Sequence, residues 1–323
     1  MTRRLFPLLA ALAVLSFPAL PARAQDNSWF DRYHASLEHD LHGTVAWFDR
    51  FFAEDLLSQA DNSVSSARLT NDFRWDERDG FEYRVRARVR IRLPLLKGRL
   101  RLLISGENQG DPNATTPEDP GNPGLSQLAT DGRASTELAY DLVRTRNTIL
   151  FAGAGVRIRT DPTAFTRVRL VHARELGHEI IGRFAVTPYW DARDGFGETN
   201  EINFERPLGP ATMMYWINTT DMNESRNGLV LGSDLSVRHM LSRQSALTFG
   251  AGIAARTRPS TVAENYRVYT RYRRNFLRSW LYYELEPDVN WPREEDGSRK
   301  AVFGGTVRLE INFAGRKPIP GSP

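Results

Sequence analysis

The run Phe81-Glu82-Tyr83-Arg84-Val85-Arg86-Ala87-Arg88-Val89-Arg90-Ile91-Arg92-Leu93 decides the fold of this chain. Every odd position is apolar and every even position is charged. Successive side chains of a strand point to opposite faces, so a strict period of two gives one greasy face and one ionic face. A soluble sandwich seldom sets an unbroken row of arginines on its solvent face. In a closed barrel within a membrane, Phe81 to Leu93 face lipid and the charges face the lumen. Crossing takes about 9–11 tilted residues, and this run is long enough.

The same rhythm recurs along the chain. Strands are expected near 64–75, 81–93, 99–107, 136–145, 149–159, 166–175 and 179–190. Further strands are expected near 198–206, 211–219, 228–239, 245–257, 266–274, 280–289 and 301–313. The pattern predicts an all-β fold, a transmembrane antiparallel β-barrel of about fourteen strands over residues 64–313, with twelve as the neighbouring count. Connectors alternate in character. Pro94–Gly98, Thr145–Asn147, Glu175–His178, Pro207–Pro210 and Leu241–Gln244 are short. Between them fall Asn108–Ala134, Asp191–Gly197, Thr220–Asn227, Arg258–Asn265 and Asn290–Lys300, which include long polar loops. Short periplasmic turns and longer outer loops alternate in this way in outer-membrane barrels, and an even strand number leaves both termini in the periplasm. Asp111–Gly124 lacks the acid spacing of a calcium loop and reads as a mobile outer loop able to fold inward.

Aromatic residues gather near the expected strand ends: Phe73, Trp75, Tyr189, Trp190, Tyr215, Trp216, Phe276, Trp280 and Trp291. Interfacial girdles place aromatics there, although packing in a soluble β protein does so too. The last strand alternates Val307, Leu309 and Ile311 and closes on Phe313. It is similar to the terminal signal read by the bacterial barrel-assembly machinery, except that a Pro- and Gly-rich tail, 314–323, follows it.

The remaining segments fit export. Arg3 and Arg4, the apolar run Leu5–Leu20 and the small residues before Gln25 make residues 1–24 a secretory signal peptide, with cleavage expected near Ala24. An uncleaved anchor is the alternative. Removing these residues takes away Arg3, Arg4 and Arg23, lowering the formal charge from +4 to +1, so the basic balance does not argue for nucleic acid. Residues 25–60 change period: Phe30, Tyr33, Leu37, Leu41, Val45, Phe48 and Phe52 recur at helical steps. They predict an amphipathic periplasmic helix that plugs the barrel, lies on the inner leaflet or caps the mouth. After the signal, no apolar run reaches the roughly 20 residues of a membrane helix. With no cysteine there are no disulfides and no thiolate sites.

Three stretches together resemble a group of proteobacterial outer-membrane envelope β-barrels. They are Trp47–Phe52, the Phe81–Leu93 strand and Tyr272–Pro287. The resemblance implies a barrel in the outer membrane and brings no activity with it.

The period-of-two register places Arg84, Arg86, Arg88, Arg90 and Arg92 inside the barrel, with Arg157, Arg159, Arg167 and Arg169 on neighbouring strands. Arg267, Arg271, Arg273 and Arg308 follow near the end of the chain. Fixed guanidinium charge in a lumen favours carboxylate and phosphate. The small porins for oligogalacturonate and sialic acid are similar in carrying arginine tracks. Glu82, Glu201, Glu205, Glu284, Glu286 and Glu310 face inward on the same register. They can either neutralise an anion path or close the lumen with salt bridges.

Three functions follow: a channel for small anionic solutes, a non-conducting scaffold or binding partner, and a lipid-modifying enzyme. The enzyme has the least support. The strand histidines His172, His178 and His239 lack the His-x-Ser-Asn-Gly stretch of outer-membrane phospholipase A. His34, His39 and His42 read as surface-helix residues rather than metal ligands. No catalytic residue, metal or cofactor is implied. The expected partners are membrane lipids, the assembly machinery and small anions.

Overall fold

A computed structural model describes residues 65–93, 99–107, 134–145, 147–158, 161–177, 179–225 and 228–314. The expected signal peptide, the helix at 25–60, Arg159, His178 and nearly all of the Asn108–Ala134 loop lie outside these residues.

The described chain forms fourteen strands. The first seven are β1 (Ser66–Asp76), β2 (Gly80–Leu93), β3 (Leu100–Glu107), β4 (Ala134–Arg144), β5 (Thr148–Ile158), β6 (Thr163–Gly177) and β7 (Ile180–Asp191). The second seven are β8 (Gly195–Gly209), β9 (Thr212–Asn223), β10 (Val230–Ser242), β11 (Ser245–Arg256), β12 (Val262–Asn275), β13 (Leu281–Pro292) and β14 (Val302–Ala314). Each pairs antiparallel with its neighbours in sequence, and β1 pairs with β14 to close the barrel. Closure removes the sheet edges, so every strand finds its backbone partners within the wall, as a hydrocarbon surrounding demands. The even strand number brings both ends of the barrel sequence to one rim, called here the terminal end.

Most of the buried side chains are polar or charged, the reverse of a water-soluble protein, although apolar residues are buried among them. On β6, Phe165, Arg167, Arg169, Val171 and Ala173 are buried, while Val168 and Leu170 are exposed. On β13, Glu284, Glu286 and Asp288 are buried beside an exposed Leu285. The buried parity faces the lumen. The exposed parity carries Phe81, Phe249, Val268 and Phe303 and makes an apolar belt of the kind that faces lipid in outer-membrane barrels. Trp280 stacks on Phe313, with centroids 6.4 Å apart, at the terminal end. Trp75 pairs with Phe81, and Trp190 with Phe196, at the other end. Two expected girdle residues belong elsewhere: Tyr189 and Tyr215 are buried on the lumen face. Each precedes an outward tryptophan, and adjacent residues of a strand cannot share a face.

A polar chain interrupts the belt on β8–β10. Trp216 Nε1 donates to Ser233 Oγ (3.0 Å), Ser233 donates to Asn218 Oδ1 (2.8 Å), and Asn218 donates to the Ile202 carbonyl (3.2 Å). These groups satisfy one another, which lowers the cost of placing them on a lipid-facing surface.

The expected Asp191–Gly197 loop is a tight turn, because the strands pair as far as Asp191 and Gly195. The Asp191 carboxylate accepts from the amides of Arg193 (2.9 Å) and Asp194 (3.2 Å). Gly195 then takes φ 76°, a left-handed conformation that suits glycine. The β1–β2 turn repeats this: Asp76 accepts from Arg78 (3.1 Å) and Asp79 (2.7 Å), and Gly80 has φ 77°. Both come from one sequence, Trp-Asp-x-Arg-Asp-Gly-Phe, at 75–81 and 190–196.

Candidate functional site

The inner wall is an ion-pair lattice, and its register explains who pairs with whom. On β12 and β13, Arg273 lies opposite Glu284. Arg273 donates to Glu284 and to Glu310 of β14 (2.8 Å). Arg308 of β14 donates to Glu284 (2.8 Å) and to Asp72 of β1 (2.6 Å). Arg271 pairs with Glu286, and Arg267 with Glu286 (2.6 Å) and Asp288 (2.6 Å). On the other side of the barrel, Arg167 forks onto Glu137 (2.8 and 2.6 Å) and Arg169 onto Glu201 (3.0 and 3.1 Å). Arg157 pairs with Asp191 at 3.0 Å, and Arg183 with Glu205 at 3.0 Å.

Each of these pairs joins strands no more than two apart in the barrel order. The arms therefore run round the wall rather than across the lumen. Small or flat inward residues on the intervening strand make room for them. The Arg167–Glu137 pair passes over β5 at Gly153, where an added Cβ would stand 1.9 Å from Glu137 Oε1. Tyr269 reaches over β11 at Gly250 to donate to Asp234 Oδ1 (3.0 Å), and a Cβ at Gly250 would meet its ring at 2.3 Å. Inward aromatic rings serve the same end. The guanidinium of Arg238 lies 4.0 Å from the Tyr215 centroid, that of Arg273 4.3 Å from Tyr282, and that of Arg167 5.3 Å from Phe151.

A testable consequence arises at Gly153. The variant Gly153→Val should displace Glu137 from Arg167 and cost about 1–3 kcal/mol by overpacking. Urea unfolding in vesicles reads the change, and an unmoved midpoint would show that the pair does not need this groove.

The β2 row is built differently. Glu82, Arg84, Arg86, Arg88, Arg90 and Arg92 all point inward, and all are half-buried. Arg84 bonds Glu82 (3.1 Å) and Arg86 bonds Asp72, both toward the far end of the strand. Toward the terminal end, among the described residues, no carboxylate forms an ion pair with Arg90 or Arg92. The fully buried arginines of β6 and β12 thus sit within carboxylate forks, while the β2 row keeps contact with solvent.

Several wall residues escaped the sequence reading: Asp72, Glu137, Asp141, Asp191, Asp234 and Asp288 as counter-charges, and Arg101 and Arg238 as cations. Parity within each strand could have found them. Glu137, Ala139 and Asp141 alternate with Leu138, Tyr140 and Leu142 on β4.

Of the described residues, His172 and His239 face the other way. His172 Nδ1 bonds Thr148 Oγ1 and His239 Nδ1 bonds Thr212 Oγ1, each at 2.9 Å, on the outward parity near the terminal end. Among the described residues, no group of three or more acidic or histidine side chains gathers as a metal site.

No family model matches the sequence, and neither does any curated protein. Several solved structures are similar to the chain. The outer membrane channel DcaP of Acinetobacter baumannii aligns over 77% of this chain and 96% of its own, with TM-score 0.47 and 8% identity. OmpT, an outer membrane protein of Vibrio cholerae, aligns over 77% and 96%, with TM-score 0.42 and 10% identity. The outer membrane protein opdK of Pseudomonas aeruginosa aligns over 78% and 98%, with TM-score 0.41 and 9% identity.

Proposed function

We propose that this barrel is a porin-like channel of the bacterial outer membrane that passes small anionic solutes along an arginine-lined lumen. One observation carries the reading: the salt bridges lie along the wall, and the β2 row, Arg84 to Arg92, is less deeply buried than the forked arginines of β6 and β12 and offers its charge to a solute. Arg157, Arg167, Arg169, Arg271 and Arg273 then shape the wall, with Glu82, Glu284, Glu286 and Glu310 as its counter-charges. Guanidinium in a confined aqueous path lowers the entry barrier for carboxylate and phosphate and raises it for cations. Conduction of this kind needs no cofactor and no chemical step. The export signal expected at 1–24 and the closing Phe313, which faces outward at the terminal end, fit assembly into the outer membrane with that end in the periplasm.

A second reading, a closed barrel acting as a scaffold, draws on the depth of burial on the β6–β8 wall, where Arg169 is 3% and Glu201 1% exposed. Solute flux separates the two. Proteoliposomes carrying the folded protein should leak a small monocarboxylate such as gluconate faster than a cation of equal size. Equal retention of both solutes would favour the scaffold.

A further inference from the structure

Resting on that channel reading, we propose that the terminal-end mouth holds a binding subsite for small oxyanions with two or more negative charges. Arg90 and Arg92 form its centre, with Arg68, Arg88, Arg101 and Arg144 around them. The register itself is the first observation. Arg68 lies directly opposite Arg88, and Arg92 directly opposite Arg101, all on the lumen face. Like charges set opposite each other across a strand pair destabilise a sheet. Elsewhere the wall avoids this: Arg308 faces Glu284 on one side and Asp72 on the other. Two like-charged pairs four residues apart on one strand are a local conflict that the fold does not need.

Among the described residues, no carboxylate forms an ion pair with Arg90 or Arg92. Asp141 takes Arg101 and Arg144, the latter at 3.0 Å. Glu310 stands 3.9 Å from Arg68 and is already held by Arg273 at 2.8 Å. Arg90 Nε and Arg101 Nε are buried without a hydrogen-bond partner among the described residues. Arg68 and Arg101 open their strands while Arg92 and Arg144 close theirs, so the charges share one rim.

The class of ligand follows from the spacing. Alternate residues of a strand lie roughly 6.5–7 Å apart, so Arg90 and Arg92 present two forks to two acidic groups of one small molecule. A chloride or monocarboxylate engages one fork at a time. An oxyanion with two or three carboxylates or phosphates bridges them and neutralises both.

Titration calorimetry on the folded full-length protein in detergent, at fixed ionic strength, tests the site with citrate and acetate as probes. The expected result is saturable citrate binding at least tenfold tighter than acetate binding, reduced tenfold or more in Arg90→Gln/Arg92→Gln. Arg92→Lys keeps the charge and loses the fork, and should weaken citrate by a smaller factor even if the double variant fails to fold. Citrate binding no tighter than acetate, or unchanged in the folded variants, overturns the subsite. Calorimetry needs no current, so the two ideas fail separately. A silent barrel that binds citrate refutes the channel alone, and a conducting barrel indifferent to citrate refutes the subsite alone.

Discussion

Replacing Glu284 by alanine will destabilise the barrel by about 3 kcal/mol or more, the largest loss expected from any single carboxylate of the wall. Glu284 is 2% exposed and accepts from both Arg273 and Arg308. Its removal takes one of two carboxylate partners from each of two buried guanidiniums. Each keeps one partner, Arg273 with Glu310 and Arg308 with Asp72. Those partners are themselves buried and cannot swing to replace it. Glu82→Ala is the matched comparison, because Glu82 is half-exposed and its pair with Arg84 is worth about 0–1 kcal/mol. Urea titration in vesicles, followed by tryptophan emission and heat-modifiable gel mobility, gives both numbers. A Glu284 loss no larger than that of Glu82 would mean that water fills the lumen at the β12–β14 wall.

The second large effect is on selectivity. Changing Arg88, Arg90 and Arg92 together to serine should shift a preference for chloride toward potassium while the barrel still folds. A unit charge about 7 Å from a permeating ion contributes about 0.6 kcal/mol in water, close to a threefold bias in population per arginine. Salt weakens this over a Debye length of about 10 Å at 0.1 M, so the combined change should be several-fold and largest at low ionic strength. These three residues are the ones to change because, among the described residues, no carboxylate pairs with Arg90 or Arg92, and Arg88 and Arg92 each lie opposite another arginine, so removing them relieves like-charge repulsion. Stability should hold or rise. A variant that unfolds would mean that the β2 row holds the wall together as the β12 arginines do.

The fold was legible because one physical rule, the period of two, governs every strand. All fourteen expected strands overlap the observed ones, and Phe81–Leu93 falls within β2 almost end to end. Errors arose where a second rule acted. The loop expected at Asp191–Gly197 was inferred from polarity, yet Asp191 and Gly195 are polar or flexible for the sake of a tight turn. The repeated Trp-Asp-x-Arg-Asp-Gly-Phe segment held that information in plain view. Tyr189 and Tyr215 stand beside outward tryptophans, and because adjacent residues cannot share a face they turn to the lumen.

The wall was only half legible. Parity places Arg167 and Arg169 in the lumen, but it does not say that their carboxylates come from strands two places away, across Gly153 and Thr187. Pairing of that kind depends on the relative stagger of the strands. Stagger is set by the closure of the whole barrel and leaves no mark on any one segment. The difference between the fully buried, forked arginines of β6 and β12 and the less buried ones of β2 therefore emerges only in three dimensions.

The measurement that tests the account most directly is the reversal potential of single channels of the full-length protein in a planar bilayer under a potassium chloride gradient. Discrete openings, with a reversal potential displaced toward that of chloride, are the predicted result. A folded, heat-modifiable barrel that stays silent, or one whose reversal potential favours potassium, would contradict it.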